Sequence, residues 1–419
     1  MSAMAHPCYR QQSRTLVDRL VALLATRDVV ELHKCVEKAN EHFCMNNAEG
    51  WKSLRETRLH VLLKNIIMSR STYSDATYCS SVLSFLADIV EYASGLDKRV
   101  EDPVIDQLLA WGDKFWERLL TMLETIAASS RLHPSLGNSL AELTLAYHNL
   151  YCERDRIPNL IMSHFGNLVV YAWLYRLGSG QDDRALHIFD NLLRHAKPSE
   201  CSTFCQNFIE TAKSDQIAQR FRHEFNQTRL PSVNFRTSLH IMAYLGGFGV
   251  GSLNSVLSAL VGHDVYKSLF EALNRQIDRD EPREEWAAIG RAPYFLWSLF
   301  INSIDRSTSK SHRHFEYLMA FMSRAAVIGP GFDNDDTTMY IKKWLQLIIN
   351  IRDFASGVKN KEPKGALIKD MRYLARRHWD DSVGPALGAY MRRPTETRVH
   401  KNAKKMWDAW FDMGMAIGL

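Results

Sequence analysis

SLHIMAYLGGFGVGSLNSVLSALVG, Ser238 to Gly262, is the stretch on which the reading of this chain turns. It holds no Asp, Glu, Lys or Arg, whereas the sequence on either side is speckled with charge. A membrane-spanning helix needs about 20 mostly apolar residues, and this stretch is long enough. Gly246, Gly247, Gly249 and Gly251 interrupt it, however, and serines and Asn254 dilute it. Each glycine costs a helix interior about 1 kcal/mol relative to alanine, so this cluster breaks the helix. The stretch reads as a helix over Phe235–Leu245, the loop GGFGVG, and a second helix over Ser252–Leu260 with Ser252 as its N-cap. Helices without charge are covered on most sides. The pair is therefore expected to be the buried waist of an all-helical chain, not a membrane anchor.

The same glycines raise a phosphate loop as an alternative, since backbone N–H groups at a helix start can cradle an anion. G-x-G-x-x-G fails because Ser252 stands where the last glycine belongs, and no Gly-Lys-Ser/Thr follows. A helical pattern, not a strand, precedes the loop. A tight turn between helices is the expectation.

Outward from the waist, the 419 residues are 46% hydrophobic and 24% charged, with a net charge of +5, an ordinary globular composition that permits acidic partners without demanding nucleic acid. Seven scattered cysteines do not form a secreted disulfide framework, which suggests a reducing, intracellular compartment, cytoplasmic or nuclear. The start, MSAMAHPCYRQQSR, has no apolar core of a secretory signal.

Helical periodicity covers almost everything else. Leu16, Leu20, Leu23 and Leu24 share one helix face, and Asp28 can cap a helix over Val29–Phe43. Single helices are expected over Trp51–Met68, Asp75–Ala93 and Pro158–Leu177. The clearest begins with Asp102 as N-cap and Pro103 at the first helical position, then runs through Leu108, Trp111, Phe115, Leu119, Met122 and Ile126. Later helices include Val265–Ile277, Trp286–Ile304, His314–Ile328, Thr338–Phe354, Gly365–His378 and Ala403–Met415. No run alternates apolar and polar residues as a strand would. About eighteen helices with short loops, but without a tetratricopeptide or ankyrin consensus, fit an irregular armadillo- or HEAT-like α-solenoid without a sheet, with a closed bundle as the competitor. The sequence divides into an N-terminal array over 1–230, an array carrying the glycine turn over 231–355, and a basic, Trp-containing end over 356–419.

That end carries Arg372, Arg376, Arg377, Arg392, Arg393, Lys401, Lys404 and Lys405, interleaved with Trp379, Tyr390, Trp407, Trp410 and Phe411. Such a mixture can bind RNA or single strands, or it can be a solvated face whose tryptophans pack inward.

Groups with chemistry are few. Cys201 and Cys205 lie one turn apart but lack further zinc ligands. His33, Cys35, His42 and Cys44 diverge if their helix is intact. His164 and His240 read as core histidines, and His312 and His314 as the polar start of a helix. Asp182-Asp183, Asp333-Asn-Asp335-Asp336 and Asp380-Asp381 lack the further carboxylate of a D-D-x-x-D diphosphate box or the glycine and glutamate of a calcium loop. No catalytic, cofactor or metal residue is assigned.

Three stretches carry a family resemblance: Trp111–Pro134, Ile157–Arg176 and the terminal MWDAWFDMGMAIGL, Met406–Leu419. The chain resembles the helical region that precedes a MYND-type zinc finger in proteins of basidiomycete fungi. The finger itself, a run of paired cysteines ending in His and Cys, is absent from this sequence, so no zinc ligand carries over. The resemblance implies protein–protein interaction. The expectation is a non-enzymatic scaffold that binds unknown protein partners along a helical surface, with no cofactor and no membrane. The alternatives are an all-α enzyme or ligand carrier with a cavity near the glycine turn, and nucleic-acid binding through the basic end.

Overall fold

The chain is all-α in a computed structural model that describes residues 7–26, 28–44, 48–69, 76–99, 101–129, 134–175, 184–247, 253–277, 297, 300–301, 308–331, 335–358 and 365–418. Among them are twenty-one α-helices and no strand. They fall into two compact units, residues 1–213 and 214–419.

The first unit contains α1 (Pro7–Thr26), α2 (Val29–Cys44), α3 (Ala48–Thr57), α4 (Leu59–Met68), α5 (Ala76–Ser94), α6 (Pro103–Ala110), α7 (Gly112–Ser129), α8 (Pro134–Glu153), α9 (Pro158–Ile161), α10 (Phe165–Tyr175), α11 (Arg184–His195) and α12 (Pro198–Ala212). Their contacts advance along the chain in two ladders. One is α2–α5–α8–α11, and the other is α1–α3–α4–α7–α10–α12. Contacts between α1 and α2, α4 and α5, and α10 and α11 tie the ladders together. This is the solenoid arrangement expected from short loops between antiparallel helices, in which each pair buries its apolar stripe against the next.

The count differs from the expected eighteen because three expected helices are broken, an unexpected one, Gly384–Met391, is added, and the expected Trp286–Ile304 lies mostly outside the described residues. Trp51–Met68 is interrupted at Arg58, which sits in the left-handed region at φ 53°. The helix after Asp102 stops at Ala110 and resumes at Gly112, whose φ of +57° suits a residue without Cβ. Its start is as expected: Asp102 Oδ1 accepts from the backbone N–H of Val104 at 2.8 Å, with Pro103 in the first turn. Asp28 likewise caps α2, accepting from Glu31 N–H at 3.1 Å. The third break, at Met162–His164, has its cause on another helix. Asp113 Oδ1 accepts the His164 backbone N–H at 2.7 Å and lies 2.8 Å from its Nδ1, capping the restart at α10. His164 is therefore a partly exposed capping partner, not a core histidine.

The second unit contains α13 (Ser214–Phe225), α14 (Ser232–Gly247), α15 (Leu253–Gly262), α16 (Val265–Ile277), α17 (Thr308–Ile328), a 3-10 turn over Gly329–Gly331, α18 (Asp335–Val358), α19 (Gly365–His378), a π-helical turn over Trp379–Val383, α20 (Gly384–Met391) and α21 (Arg398–Ile417). Contacts run α13–α16–α17–α19, while α18 packs on α21 and α21 on α20. The division thus falls after Lys213, itself at φ 55°, rather than after 230. The reason is that α13 packs on α15 and α16, and its buried Arg220–Glu224 pair (3.2 Å) also takes the Ser238 hydroxyl of α14 at 2.9 Å. The basic C-terminal helices are not a separate body either, because they pack on α17 and α18 within the same unit.

The two helices of the waist are present, as Ser232–Gly247 and Leu253–Gly262. Leu239, Ile241, Met242, Leu245, Val256, Leu260 and Val261 are buried, as the lack of charge requires. Residues 248–252, and with them most of the glycine turn and the Ser252 cap, lie outside the described residues, as does most of the expected helix Trp286–Ile304. No described helix is long and apolar enough to cross a membrane.

Candidate functional site

The site is built at the end of the second unit, where α19 meets α21. Arg372 of α19 donates from Nε to the Ile417 carbonyl at 3.0 Å, so a cation closes the C-terminus of α21. Gly418 makes this possible. It lies at φ +84°, and a Cβ there would come within 2.8 Å of an Arg372 terminal nitrogen.

About two helical turns beyond Arg372, α19 passes into the π-helical turn Trp379–Val383. Such turns widen the helix and recur at functional sites. Here the turn carries Trp379 onto α21: its ring lies 4.6 Å from that of Trp407, edge to face, and 6.4 Å from that of Trp410. Gly384 leaves space for the indole, since a Cβ would stand 3.1 Å from the Trp379 carbonyl oxygen and 3.2 Å from the ring. Trp410 in turn stacks on Trp344 of α18 at 5.9 Å, and Trp344 Nε1–H donates to the Met322 carbonyl at 3.0 Å. Trp344 and Trp410 are buried, and Trp379 and Trp407 half-buried.

Above this aromatic floor lies an open cleft of about 310 Å³, lined by Arg376, Trp379, Asp380, Trp410, Phe411, Gly414 and Met415. Phe411 is 59% exposed and Met415 61%. Tyr373, on the Arg376 side of α19, is 64% exposed. Large apolar side chains are rarely left out in such proximity without a use. The Nε1 donor of Trp410 has no acceptor among the described residues, although the side chain is 2% exposed.

The eight basic residues expected to form a surface are all exposed, but their roles differ. Arg372 is the helix-closing cation. Arg376 and Arg377 face Asp380 and Asp381 at 3.8 and 3.7 Å, loose exposed pairs of small energy. Arg393 stands over the Tyr390 ring at 5.6 Å. Lys404 shares a helix face with Asp408, Phe411 and Met415, at steps of four, three and four. Of the eight, Arg376 alone lines the cleft. Sequence reasoning named Phe411 only among the aromatics interleaved with the basic end, and it did not single out Met415. Their spacing on α21 matches a buried stripe as well as an exposed one.

The other candidate chemistry is occupied by structure. Cys201 and Cys205 are buried. Burial pushes the Cys201 thiol up and the Cys205 thiol up to about 12, and Cys201 Sγ faces the Leu193 and Ala196 carbonyls. No group of three or more potential metal ligands is gathered among the described residues. Helix α2 is intact, so His33, Cys35 and His42 are spread along it; the Cys44 side chain lies outside the described residues. His42 Nε2 meets Ser13 Oγ at 2.9 Å, a contact the sequence did not suggest. Ser13 is fully buried, donates to the Tyr9 carbonyl at 2.8 Å and accepts from Ser53 at 2.6 Å. With its proton committed and no path to solvent, it is a structural hydroxyl. His314 is not a polar helix start: it lies inside α17, buried and stacked on Tyr266 at 4.1 Å, while His312 pairs with Asp370. His240 is half-buried and stands 4.8 Å from the Tyr244 ring. Asp182, Asp183, Asp333 and Asn334 lie outside the described residues.

A mixed-charge groove of about 380 Å³ in the first unit gathers Glu101, Asp102, Asp106, Glu153, Asp155, Lys98, Arg154 and Arg156. Its buried carboxylate is already used. Asp102 caps α6 and accepts from Trp51 Nε1–H at 2.9 Å, while Arg154 is bonded to the Lys98 carbonyl at 2.6 Å.

No protein-family model matches the chain, and no curated protein matches it. Among solved structures, the chain aligns with a circular tandem repeat protein described as having a novel repeat topology and enhanced subunit contact surfaces. The alignment covers 98% of this chain and 97% of that one, at 10% identity and a TM-score of 0.28, too low to carry anything from that protein to this chain.

Proposed function

We propose that the chain is a non-catalytic scaffold that docks a protein partner in the cleft between α19 and α21. The observation that carries this reading is the pair of exposed side chains Phe411 and Met415 on the wall of a Trp-floored cleft. Tyr, Trp, Arg and Met are the residues enriched where proteins bind one another. A helical array supplies a rigid, extended surface for such a site. The resemblance to the helical regions that precede MYND fingers points the same way, and the scattered cysteines suit a reducing compartment.

The test compares proteins captured by the full chain and by the double variant Phe411→Glu/Met415→Glu, with circular dichroism confirming that both are folded. Partners retained by the native chain and lost by the folded variant are expected. An identical set from both would remove the cleft from the reading.

A further inference from the structure

We propose that Thr395, in the turn between α20 and α21, is a phosphorylation site for a protein kinase that selects arginine ahead of its acceptor hydroxyl. The proposal does not rest on the scaffold reading. Helix α20 ends at Met391 and α21 begins at Arg398, and the turn between them reads Arg-Arg-Pro-Thr-Glu-Thr over residues 392–397. Arg392 through Glu396 are all exposed. Kinases of this class choose substrates by a charge pattern: carboxylates in the substrate groove meet arginines two and three residues before the hydroxyl. Arg393 and Arg392 stand at those two places ahead of Thr395. Neither forms an ion pair among the described residues, and the Arg393 guanidinium lies over the Tyr390 ring at 5.6 Å. Both can turn to a kinase's carboxylates without breaking a charge contact.

The structure separates Thr395 from the other hydroxyls and the other arginines. Thr397 is already used, since its Oγ1 donates to the Pro394 carbonyl at 2.7 Å and accepts the His400 N–H at 3.3 Å as the cap of α21. Thr395 makes no hydrogen bond among the described residues. Exposed threonines within helices, such as Thr15, Thr121 and Thr203, bond the carbonyl four residues back and sit on backbone that a groove cannot draw out straight. The turn can be drawn out. Pro394 disfavours helix at Arg393, and the one backbone hydrogen bond made by residues 394–396 is that of the Pro394 carbonyl with the Thr397 N–H at 3.0 Å. Such a segment opens at little cost. The other Arg-Arg pair, Arg376–Arg377, faces Asp380 and Asp381 and has Trp379 where the acceptor would stand.

The step moves the γ-phosphoryl group of a nucleoside triphosphate to Thr395 Oγ1. The new O–P bond forms as the bond to the β-phosphate oxygen breaks, the nucleoside diphosphate leaves with that electron pair, and the hydroxyl proton passes to the kinase's catalytic carboxylate. Residues 392–401 hold Arg392, Arg393, Arg398 and Lys401 against Glu396 alone. The added charge of about −2 therefore falls among cations, just ahead of the end of α21 that favours anions.

The experiment treats the full chain with the catalytic domain of an arginine-selective kinase and magnesium ATP, and locates the phosphate by mass spectrometry. Incorporation at Thr395 is expected, lost in Thr395→Ala and kept in Thr397→Ala. Its rate should fall about tenfold or more for Arg392→Gln/Arg393→Gln, which removes two charge-assisted contacts to the kinase, while circular dichroism shows the variant folded. Phosphate placed on another residue instead, or an undiminished rate in the double arginine variant, overturns the assignment. A peptide of residues 389–401 serves as reference. If the peptide accepts phosphate and the folded chain does not, the claim that the turn is accessible falls. If neither does, the claim that its arginines are recognised falls.

Discussion

Two aromatic clusters, one in each unit, use the same residue types to opposite ends. In the first unit Phe115, Trp116, Tyr147 and Phe165 meet across α7, α8 and α10, with ring separations of 4.7 to 6.4 Å. All four are buried at 1% exposure or less. In the second unit Trp344, Trp410, Trp379 and Trp407 form a comparable chain of rings, but burial falls off along it, and it ends beside Phe411 at 59% exposure. The difference lies in what covers each cluster. Two ladders of helices seal the first. The second sits beside a π-helical turn, which carries Trp379 onto α21 and leaves the wall of α21 open. An aromatic cluster is a core or a docking floor according to what packs over it, not according to its composition.

The comparison is sharpest where it predicts the largest loss. Trp116→Ala removes a 1%-exposed indole that touches Tyr147 edge to face at 4.7 Å and Phe165 at 5.2 Å. A buried Trp→Ala change costs about 3–5 kcal/mol. Guanidinium denaturation followed by circular dichroism should show a loss of this size in the transition of the first unit. A loss below about 1 kcal/mol would mean that the cluster is not the sealed core described.

Next in size is Asp102→Ala. It removes the cap on α6 and the acceptor for Trp51 Nε1–H together. A lost cap costs about 1 kcal/mol and an orphaned buried donor a further 1–3 kcal/mol. Asp102→Asn keeps an acceptor and should recover part of the loss. If alanine and asparagine were equally harmful, the capping account would be wrong.

A smaller effect is carried by protons. His60 is 1% exposed and bonded to Gln107 at 2.7 Å, and burial holds its pKa below the usual histidine value. The folded chain thus binds fewer protons at this site than the unfolded chain. The contribution is full above the unfolded value of about 6.5 and is lost as pH falls through it toward the folded value. His42 and His148 in the same unit are shifted the same way by burial. The denaturation midpoint should fall between pH 7.5 and 5.5, and His60→Gln should lessen the fall without abolishing it. A midpoint that rises on acidification would contradict the buried, neutral assignment.

How much of this could be read from the sequence depended on how local its cause was. The Asp102–Pro103 start and the Asp28 cap are local chemistry and appear as read. Val265–Ile277 and Gly365–His378 match end for end, since short amphipathic segments with clear stops carry their own limits. The break at Arg58 has no glycine or proline to announce it, and the break before Phe165 is fixed by Asp113, 51 residues earlier. No periodicity argument reaches that far. The basic end was visible as charge, but its sorting was not. Arg372 closes a helix only because Gly418 lets it approach, and Arg376 belongs to the cleft only because a π-helical turn follows. Phe411 and Met415 were legible as apolar and invisible as exposed, because exposure is decided by helices that do not pack on that face.

The smallest expected change in stability therefore tests the most. Phe411→Ala and Met415→Ala remove side chains that are 59% and 61% exposed. Surface substitutions away from caps, cores and ion networks stay within about 0.5 kcal/mol, so the pair together should cost under about 1 kcal/mol. Trp116→Ala, the deletion of one ring from the sealed cluster, should cost several times more. Measured in the same denaturant series, the two variants set core against docking floor directly. A cost above about 2 kcal/mol for the pair would show Phe411 and Met415 to be packed, and the contrast between the clusters would collapse. A negligible cost joined to the loss of captured partners would separate the two roles: rings that hold the first unit together, and side chains at the surface of the second that hold something else.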